Sequence, residues 1–544
     1  MKSLPVGVQD FIELRKTDKY YVDKSMLIGQ ILNKNDLGVY LYTRPRRFGK
    51  SLNLSMLDAF FNIEYKDNAW FDGLEISEHH EFDSYRNAFP VIHLDLKETD
   101  SDDMKGYLNN VNNAILKAYK SHIYLQNWDK LTKDEVKLFD DLSMKTITPE
   151  DLAVSVSVLS EVLERYHNSK VVILIDEYDG AVNNIKDDNL RRGIVDFIGK
   201  IMSHALKGNN SLKLGVVTGV MQIVKENIFS GVNNISRRDI FDTEFDEMFG
   251  FTDKEVKQIC ADYGHPEKFE EAKEWYDGYR FGEADIYNPW SILNYVSGGF
   301  KPDTYWLNTS NNDIISNFIN NADIELTDNL KILGSGGNIE HDISTMLTFD
   351  DLNDSESIYS LMVISGYLKA IQNDDEYLLS IPNRELFIVF SQVVSRSVFG
   401  SDSKAKVLKR FSKALMSSNV NAMKKSLKEI FMGGISSRAL ISENSYQTFI
   451  AAMLMCLFGN YDIKADFENG RGFSDILMTK KKGIGPNVVM ELKRSSDDSR
   501  LERDAKAALQ QIKDREYTYG LKGKTILYGI AFSDKEPYII SEEI

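Results

Sequence analysis

Val39-Tyr40-Leu41-Tyr42-Thr43-Arg44-Pro45-Arg46-Arg47-Phe48-Gly49-Lys50-Ser51 reads as a short apolar strand running into a charged loop, and apolar residues at helical spacing follow over 52–61. Strand, loop and helix in this order set backbone N–H groups, a lysine and a hydroxyl at a helix N-terminus, which suits a phosphate group. Gly49, Lys50 and Ser51 supply the last three positions of a phosphate-binding loop. The usual first glycine falls at Arg44, and Pro45 follows it, so the loop entry departs from the common pattern.

Outward from the loop, strand candidates at 91–96, 171–175 and 212–218 alternate with long helical segments. Alternation of that kind predicts a parallel sheet with helices on both faces. The second half of a nucleotide site is an apolar strand ending in carboxylates, and Val171-Val172-Ile173-Leu174-Ile175-Asp176-Glu177 has that form. Asp176 is placed to hold the magnesium shell, and Glu177 to act as general base toward the attacking water.

A second constellation lies near the C-terminus. Phosphodiester hydrolysis with magnesium needs gathered carboxylates and a nearby lysine. Glu491 and Lys493 are two residues apart, so on a strand both point to one face, while Leu492 points to the core and offers its backbone carbonyl. Asp475 begins the preceding strand candidate, 475–478, which a turn at 480–486 joins to 487–492. A helix at 445–458 precedes these strands, and a helix at 504–513 and a strand at 525–532 follow.

Several segments carry a resemblance to a known family: the loop Tyr42 through Ser51, Ile175-Asp176-Glu177-Tyr178-Asp179, Ile228-Phe229-Ser230-Gly231-Val232-Asn233-Asn234, Trp275-Tyr276-Asp277-Gly278-Tyr279 and Tyr287-Asn288-Pro289-Trp290. Together they resemble the AAA-ATPase-like family of bacterial proteins, many of which end in a PD-(D/E)xK nuclease-like domain. The likeness covers nearly the whole chain, and that family accepts Arg-Pro-Arg-Arg in the loop. It implies ATP and Mg2+ as cofactors, with Arg46, Arg47, Phe48, Gly49, Lys50, Ser51, Asp176 and Thr218 at the nucleotide. Thr218 falls where related ATPases sense the terminal phosphate. Relatives carry an arginine a few residues later, where this chain has Gln222; Arg44, Arg46, Arg47, Arg237 and Arg238 are the candidates to replace it.

At the C-terminus the resemblance implies metal ligation by Glu443, Asp475 and Glu491, with Glu468 as the alternative to Glu443, and cleavage assisted by Lys493. Gly470-Arg471 precede Asp475, and Gln511 and Tyr517 are implied to lie on the helix beside the metal. The fold class expected is α/β multidomain: a P-loop NTPase with a parallel sheet, a helical middle region and an α/β PD-(D/E)xK nuclease-like domain. The boundaries read are 1–250 for the ATPase-like domain, 251–330 for a helical aromatic-rich accessory domain, 331–432 for a linker and helical region, and 433–544 for the nuclease-like domain. Gly334-Ser335-Gly336-Gly337 marks the connecting region.

Length and composition agree with this division. At 544 residues the chain exceeds one core, and 42% hydrophobic with 11% aromatic residues excludes a disordered chain. The longest apolar run, 449–459, is far below the roughly 20 residues that cross a bilayer, so no membrane partner is expected. No apolar segment with a small-residue cleavage site opens the chain, and Cys260 and Cys456 are too few for a zinc cluster or disulfide framework, so a cytoplasmic protein is expected. A net charge of −17 excludes nonspecific coating of nucleic acid. Between 470 and 530, however, 13 Lys or Arg stand against 8 Asp or Glu, which places a nucleic-acid surface, DNA first, in the C-terminal domain. Two functions follow: an ATPase module controlling a magnesium-dependent nuclease, or a nucleotide switch whose nuclease-like domain only binds a partner. Oligomeric state stays open between a monomeric switch and a ring.

Overall fold

The computed structural model describes residues 2–33, 38–182, 187–223, 235–306, 337–347, 357–388, 402–432, 461–469, 472–480 and 485–544, with a few single positions between them. The motif 228–234, the glycines at 334–336, Glu443, Gly470-Arg471 and Cys456 lie outside the described residues, as do the side chain of Glu468 and most of the expected helix 445–458. The chain forms two compact units. The first comprises residues 1–310 and 341–377, and the second 311–340 and 378–544.

The first unit is built on a five-stranded sheet. Its strands are β1 (Val39–Thr43), β2 (Val91–Asp95), β3 (Val171–Asp176), β4 (Leu212–Gly219) and β5 (Ile235–Arg238), in the spatial order β2-β3-β4-β1-β5. All neighbouring pairs are parallel, as the alternation of strand and helix signals requires. Every residue of β1 and β3 is buried. On one face, Val171, Ile173 and Ile175 share a core with the helices Met104–Ser121, Pro149–His167 and Asp188–Leu206. The helix Lys50–Phe61 packs on β2, β3 and β4. Parallel strands bring their carboxyl ends to one edge, where the loop after β1, Asp176-Glu177 after β3 and Thr218-Gly219 at the end of β4 meet.

The segment after residue 251, expected to be helical, also contains an antiparallel sheet of Phe251–Thr252, Ala284–Tyr287 and Tyr279–Phe281 beside its helices Asp253–Asp262, Phe269–Tyr276 and Pro289–Ser297. These strands are two to four residues long, too short to show a periodicity in sequence. Their aromatic residues anchor the loop after β1. Phe48, 1% exposed, sits between Tyr279 and Phe281 with ring centroids 4.9 and 5.0 Å away.

The second unit holds a mixed five-stranded sheet in chain order: Tyr461–Asn469, Gly472–Lys480, Asn487–Arg494, Thr525–Ser533 and Glu536–Glu543. Only Asn487–Arg494 and Thr525–Ser533 are parallel, and the helix Leu501–Asp514 connects them. Met490, Leu492, Tyr528 and Ile530 share a core with Phe411, Leu427 and Phe431 of the helices Asp402–Met416 and Val420–Met432. The first and last strands had no counterpart in the sequence reading. Among the described residues no helix is long and apolar enough to cross a membrane, and Cys260 is buried.

Candidate functional sites

At the end of β1 the chain turns through Arg47 and Gly49, both with positive φ (71° and 85°), before the helix Lys50–Phe61 begins. Nothing stands within 4 Å of where a Cβ on Gly49 would be, so its backbone conformation rather than space selects glycine. Lys50 is 5% exposed. Its Nζ donates to the carbonyl oxygens of Arg44 (3.0 Å) and Pro45 (2.9 Å), and burial lowers its pKa. The loop is also tied from outside. Gly250 N–H donates to the Phe48 carbonyl (3.2 Å), Asn53 to the Met248 carbonyl (2.9 Å), and Asn288 to the Arg46 carbonyl (3.5 Å).

A cavity of about 300 Å3 lies above this loop. Arg46, Arg47, Phe48, Gly49, Lys50 and Ser51 form its floor, and Glu177 and Lys97 stand at one wall. Tyr20, Tyr21, Val22, Trp290 and Leu293 also line it, so its lining combines cations with aromatic and aliphatic side chains. Arg47 lies over Trp290, 4.5 Å from the ring centroid.

The Ile175-to-Asp179 segment locks β3 to the end of β4. Asp176 accepts a hydrogen bond from the Thr218 hydroxyl. Tyr178 donates its hydroxyl to the Met221 carbonyl at 2.6 Å, and buried Asp179 accepts from the N–H groups of Val220 (2.9 Å) and Met221 (2.8 Å). Asp176 and Thr218 thus meet each other at the strand ends, but neither lines the cavity, whereas Glu177 does. Glu177 adopts a positive φ of 49°, and burial raises its pKa, opposed by the charge of Lys50.

The arginine candidates are sorted by packing. Arg44 is fully buried and donates to the carbonyls of Thr43 (2.9 Å) and Arg238 (2.8 Å) between the rings of Phe249 and Phe281. Burial holds its pKa down to about 10. It is a structural pin of the loop and cannot reach the cavity, which overturns its candidacy for phosphate. Arg238 is paired with Asp242 (2.8 Å) and Glu244 (2.6 Å), and Gln222 is 2% exposed, away from the cavity lining.

In the C-terminal sheet, Asp475, Glu491 and Lys493 come together. The antiparallel ladder between their strands runs through Met478↔Val488 to Ile476↔Met490 and stops there. Beyond it, the Asp475 carboxylate accepts the Leu492 N–H at 2.6 Å. Glu491 is 2% exposed. Its Oε1 accepts from Lys493 Nζ at 3.4 Å and from Gln511 Nε2, and Gln511 Nε2 also reaches the Tyr517 hydroxyl at 3.4 Å. Its Oε2 is buried with no hydrogen-bond partner among the described residues. Burial, and then the charge of Asp475, push Glu491 up to about 7.

Gly529 explains why Gln511 reaches Glu491. It is the parallel partner of Glu491, and a Cβ there would stand 2.2 Å from the Ala505 carbonyl oxygen and 2.7 Å from the Leu509 nitrogen. The absent side chain lets the helix Leu501–Asp514 lie directly on the strand. Gly529→Ala is expected to destabilise the protein by about 2–3 kcal/mol, read as a lower urea midpoint, because backbone rather than a side-chain tip must move.

A divalent ion suits the donor set. A buried acidic oxygen without a partner, a second carboxylate and a neighbouring ammonium are what such an ion would satisfy. Among the described residues no group of three or more His, Cys, Asp or Glu is placed to hold a metal ion. A third carboxylate would have to come from Glu443 or Glu468, neither of whose side chains is described.

Sequence reasoning missed Lys97 and Gly529, and it named Asp179 and Asn288 as parts of motifs without giving them a role. Asn288-Pro289 was open to detection as a helix start, since Asn288 accepts from the N–H groups of Trp290 and Ser291 and proline takes the first helical position.

This arrangement defines the class: a P-loop ATPase-like domain followed by a nuclease-like sheet with an Asp…Glu-x-Lys set. Residues 5–229 match the family model described as predicted AAA-ATPase, and residues 441–542 match that of the PD-(D/E)XK nuclease superfamily. The chain therefore carries an AAA-ATPase-like domain and a PD-(D/E)XK nuclease superfamily domain. It is also similar to a protein of Azotobacter chroococcum mcd 1 described as an uncharacterized protein in the vnfD 5′ region, at 27% identity over 317 residues, which is 57% of this chain and 54% of that relative. The chain thus spans about half the length of that relative.

Proposed function

We propose that this protein binds and hydrolyses ATP in its N-terminal unit and uses the nucleotide state to control cleavage of nucleic acid, DNA first, by its C-terminal domain. The observation that carries the reading is buried Glu491, with one unpartnered oxygen, set between Asp475 and Lys493 in a chain whose other unit holds a cation-floored cavity over a Gly-Lys-Ser loop.

In the N-terminal unit the loop N–H groups and Lys50 would take the phosphates and Ser51 the accompanying magnesium, to which Asp176, behind the cavity lining, would turn from Thr218. Lys50 already occupies the loop by holding two of its carbonyls, so a triphosphate draws Nζ from Arg44 and Pro45 onto itself. Thr218 orients Asp176, and Glu177 accepts the proton of the attacking water. The apolar wall at Tyr20, Tyr21 and Trp290 receives the base.

In the C-terminal domain, Asp475 and Glu491 would hold a divalent ion, with Glu443 or Glu468 as the expected third carboxylate, and the ion would supply a water of lowered pKa and charge to offset the phosphate. Lys493 orients that water, while Gln511 and Tyr517 fix Glu491.

The test is cleavage of labelled DNA and RNA with magnesium or manganese, with and without ATP, by wild type and Lys50→Ala. Cutting that responds to ATP in wild type and ceases to respond in Lys50→Ala is expected. Cutting that is identical in all four conditions removes the control relationship. No cutting of any substrate, with ATP still bound, supports instead the switch whose nuclease-like domain only binds a partner.

A further inference from the structure

Hydrolysis of a nucleoside triphosphate needs positive charge at the terminal phosphate, and the position expected to supply it carries buried Gln222. Among the described residues the cations lining the cavity are Lys24, Arg46, Arg47, Lys50 and Lys97. Three are already engaged. Lys24 is 2.6 Å from Glu255 and donates to the Glu247 carbonyl, Arg47 lies on Trp290, and Lys50 belongs to the loop. Arg46 lies four residues before Lys50, on the same loop.

Lys97 comes from a different element. It follows β2, the edge neighbour of β3, whose end carries Asp176 and Glu177. Hydrogen bonds hold the backbone of Lys97 and of Leu96 before it. Leu96 N–H donates to the Asp176 carbonyl (3.1 Å), Lys97 N–H to Asp95 (3.0 Å), and the Thr99 hydroxyl to the Leu96 carbonyl (2.7 Å). Gly180, just after Glu177, packs so closely that a Cβ there would touch the Leu96 carbonyl and the Lys97 Cα at 3.6 and 3.8 Å. The backbone that carries this exposed lysine thus lies beside the end of the strand bearing Glu177, and both residues line the cavity.

We infer that Lys97 is the cation that meets the terminal phosphate, supplied from within the same chain; the inference rests on the nucleotide reading of the cavity. A diphosphate leaves this ammonium without its partner, so Lys97 distinguishes ATP from ADP. The same charge favours the ionised form of Glu177, against the effect of burial.

The experiment is calorimetric titration of the full chain with ADP and with a non-hydrolysable ATP analogue in magnesium, for wild type, Lys97→Ala and Lys97→Arg, with ATPase turnover measured over a range of protein concentrations. Lys97→Ala is expected to lose about tenfold or more in analogue affinity at unchanged ADP affinity, and about 100-fold in turnover. Lys97→Arg is expected to recover most of both, with turnover per chain independent of concentration. An analogue-to-ADP affinity ratio in Lys97→Ala equal to that of wild type overturns the inference, and turnover per chain that rises with concentration assigns the cation to a second copy. Wild type that binds neither nucleotide overturns the nucleotide reading itself.

Discussion

Glu491→Gln is expected to lower metal-dependent cleavage by about 1,000-fold or more while making the protein more stable above pH 7. The two effects have one origin. The Glu491 carboxyl is buried beside Asp475 with one oxygen unpartnered, and its pKa is raised to about 7. A carboxyl raised in this way binds more protons folded than unfolded. Its penalty is absent below the unfolded value, develops as pH rises toward about 7, and is constant above. Glutamine carries no such penalty, so the variant is expected to gain about 1–3 kcal/mol over wild type at pH 8 and nothing near pH 4. Divalent-ion affinity of wild type falls below pH 7, by up to about tenfold per unit, because the ion competes with the proton. Cleavage rates and urea midpoints of both proteins at pH 5.5 and pH 8 check this. Full cleavage by Glu491→Gln, or a stability difference that does not change with pH, would sink the assignment.

Glu177→Gln is expected to retain ATP binding and lose turnover by about 100- to 10,000-fold. Glutamine keeps the shape at this positive-φ turn and can still orient water, but it accepts no proton. In the proposed reading Lys50, rather than Glu177, takes the phosphates, so affinity for a non-hydrolysable analogue is expected to stay within about twofold of wild type. The variant therefore holds the ATP-bound state, where Lys50→Ala holds the nucleotide-free one. Under the proposed control, nuclease rates of the two variants diverge to opposite sides of wild type. Turnover that survives Glu177→Gln shows that another group takes the proton, and equal nuclease rates in the two variants separate the ATPase from the nuclease.

Much of both sites was legible because their chemistry is written in short continuous runs. Gly49-Lys50-Ser51 needs one turn into one helix, Ile175-Asp176-Glu177 needs one buried strand, and Glu491 and Lys493 share a face by the alternation of a strand. The strand order was not legible in the same way. β2, β3, β4 and β1 lie side by side only because apolar faces far apart in sequence bury one another. Arg44 shows the limit most plainly. By sequence it belongs to a phosphate loop, but Phe249 and Phe281, some 200 residues later, enclose its guanidinium and remove it from the cavity.

What the sequence determined by itself was the identity of the reactive groups: the loop lysine, the paired acids after β3, and the Asp475, Glu491 and Lys493 set. What only the tertiary structure decided was which of them meet, and what state they are held in. Asp176 turns to Thr218 while Glu177 turns to the cavity, Lys97 is brought to Glu177 from a neighbouring strand, and Gly529 admits the helix that sets Gln511 on Glu491. The physical reason is range. Backbone periodicity and turn chemistry act over a few residues and can be read locally, whereas burial, which lowers the pKa of Lys50 and raises those of Glu177 and Glu491, depends on side chains that meet only when the sheets close.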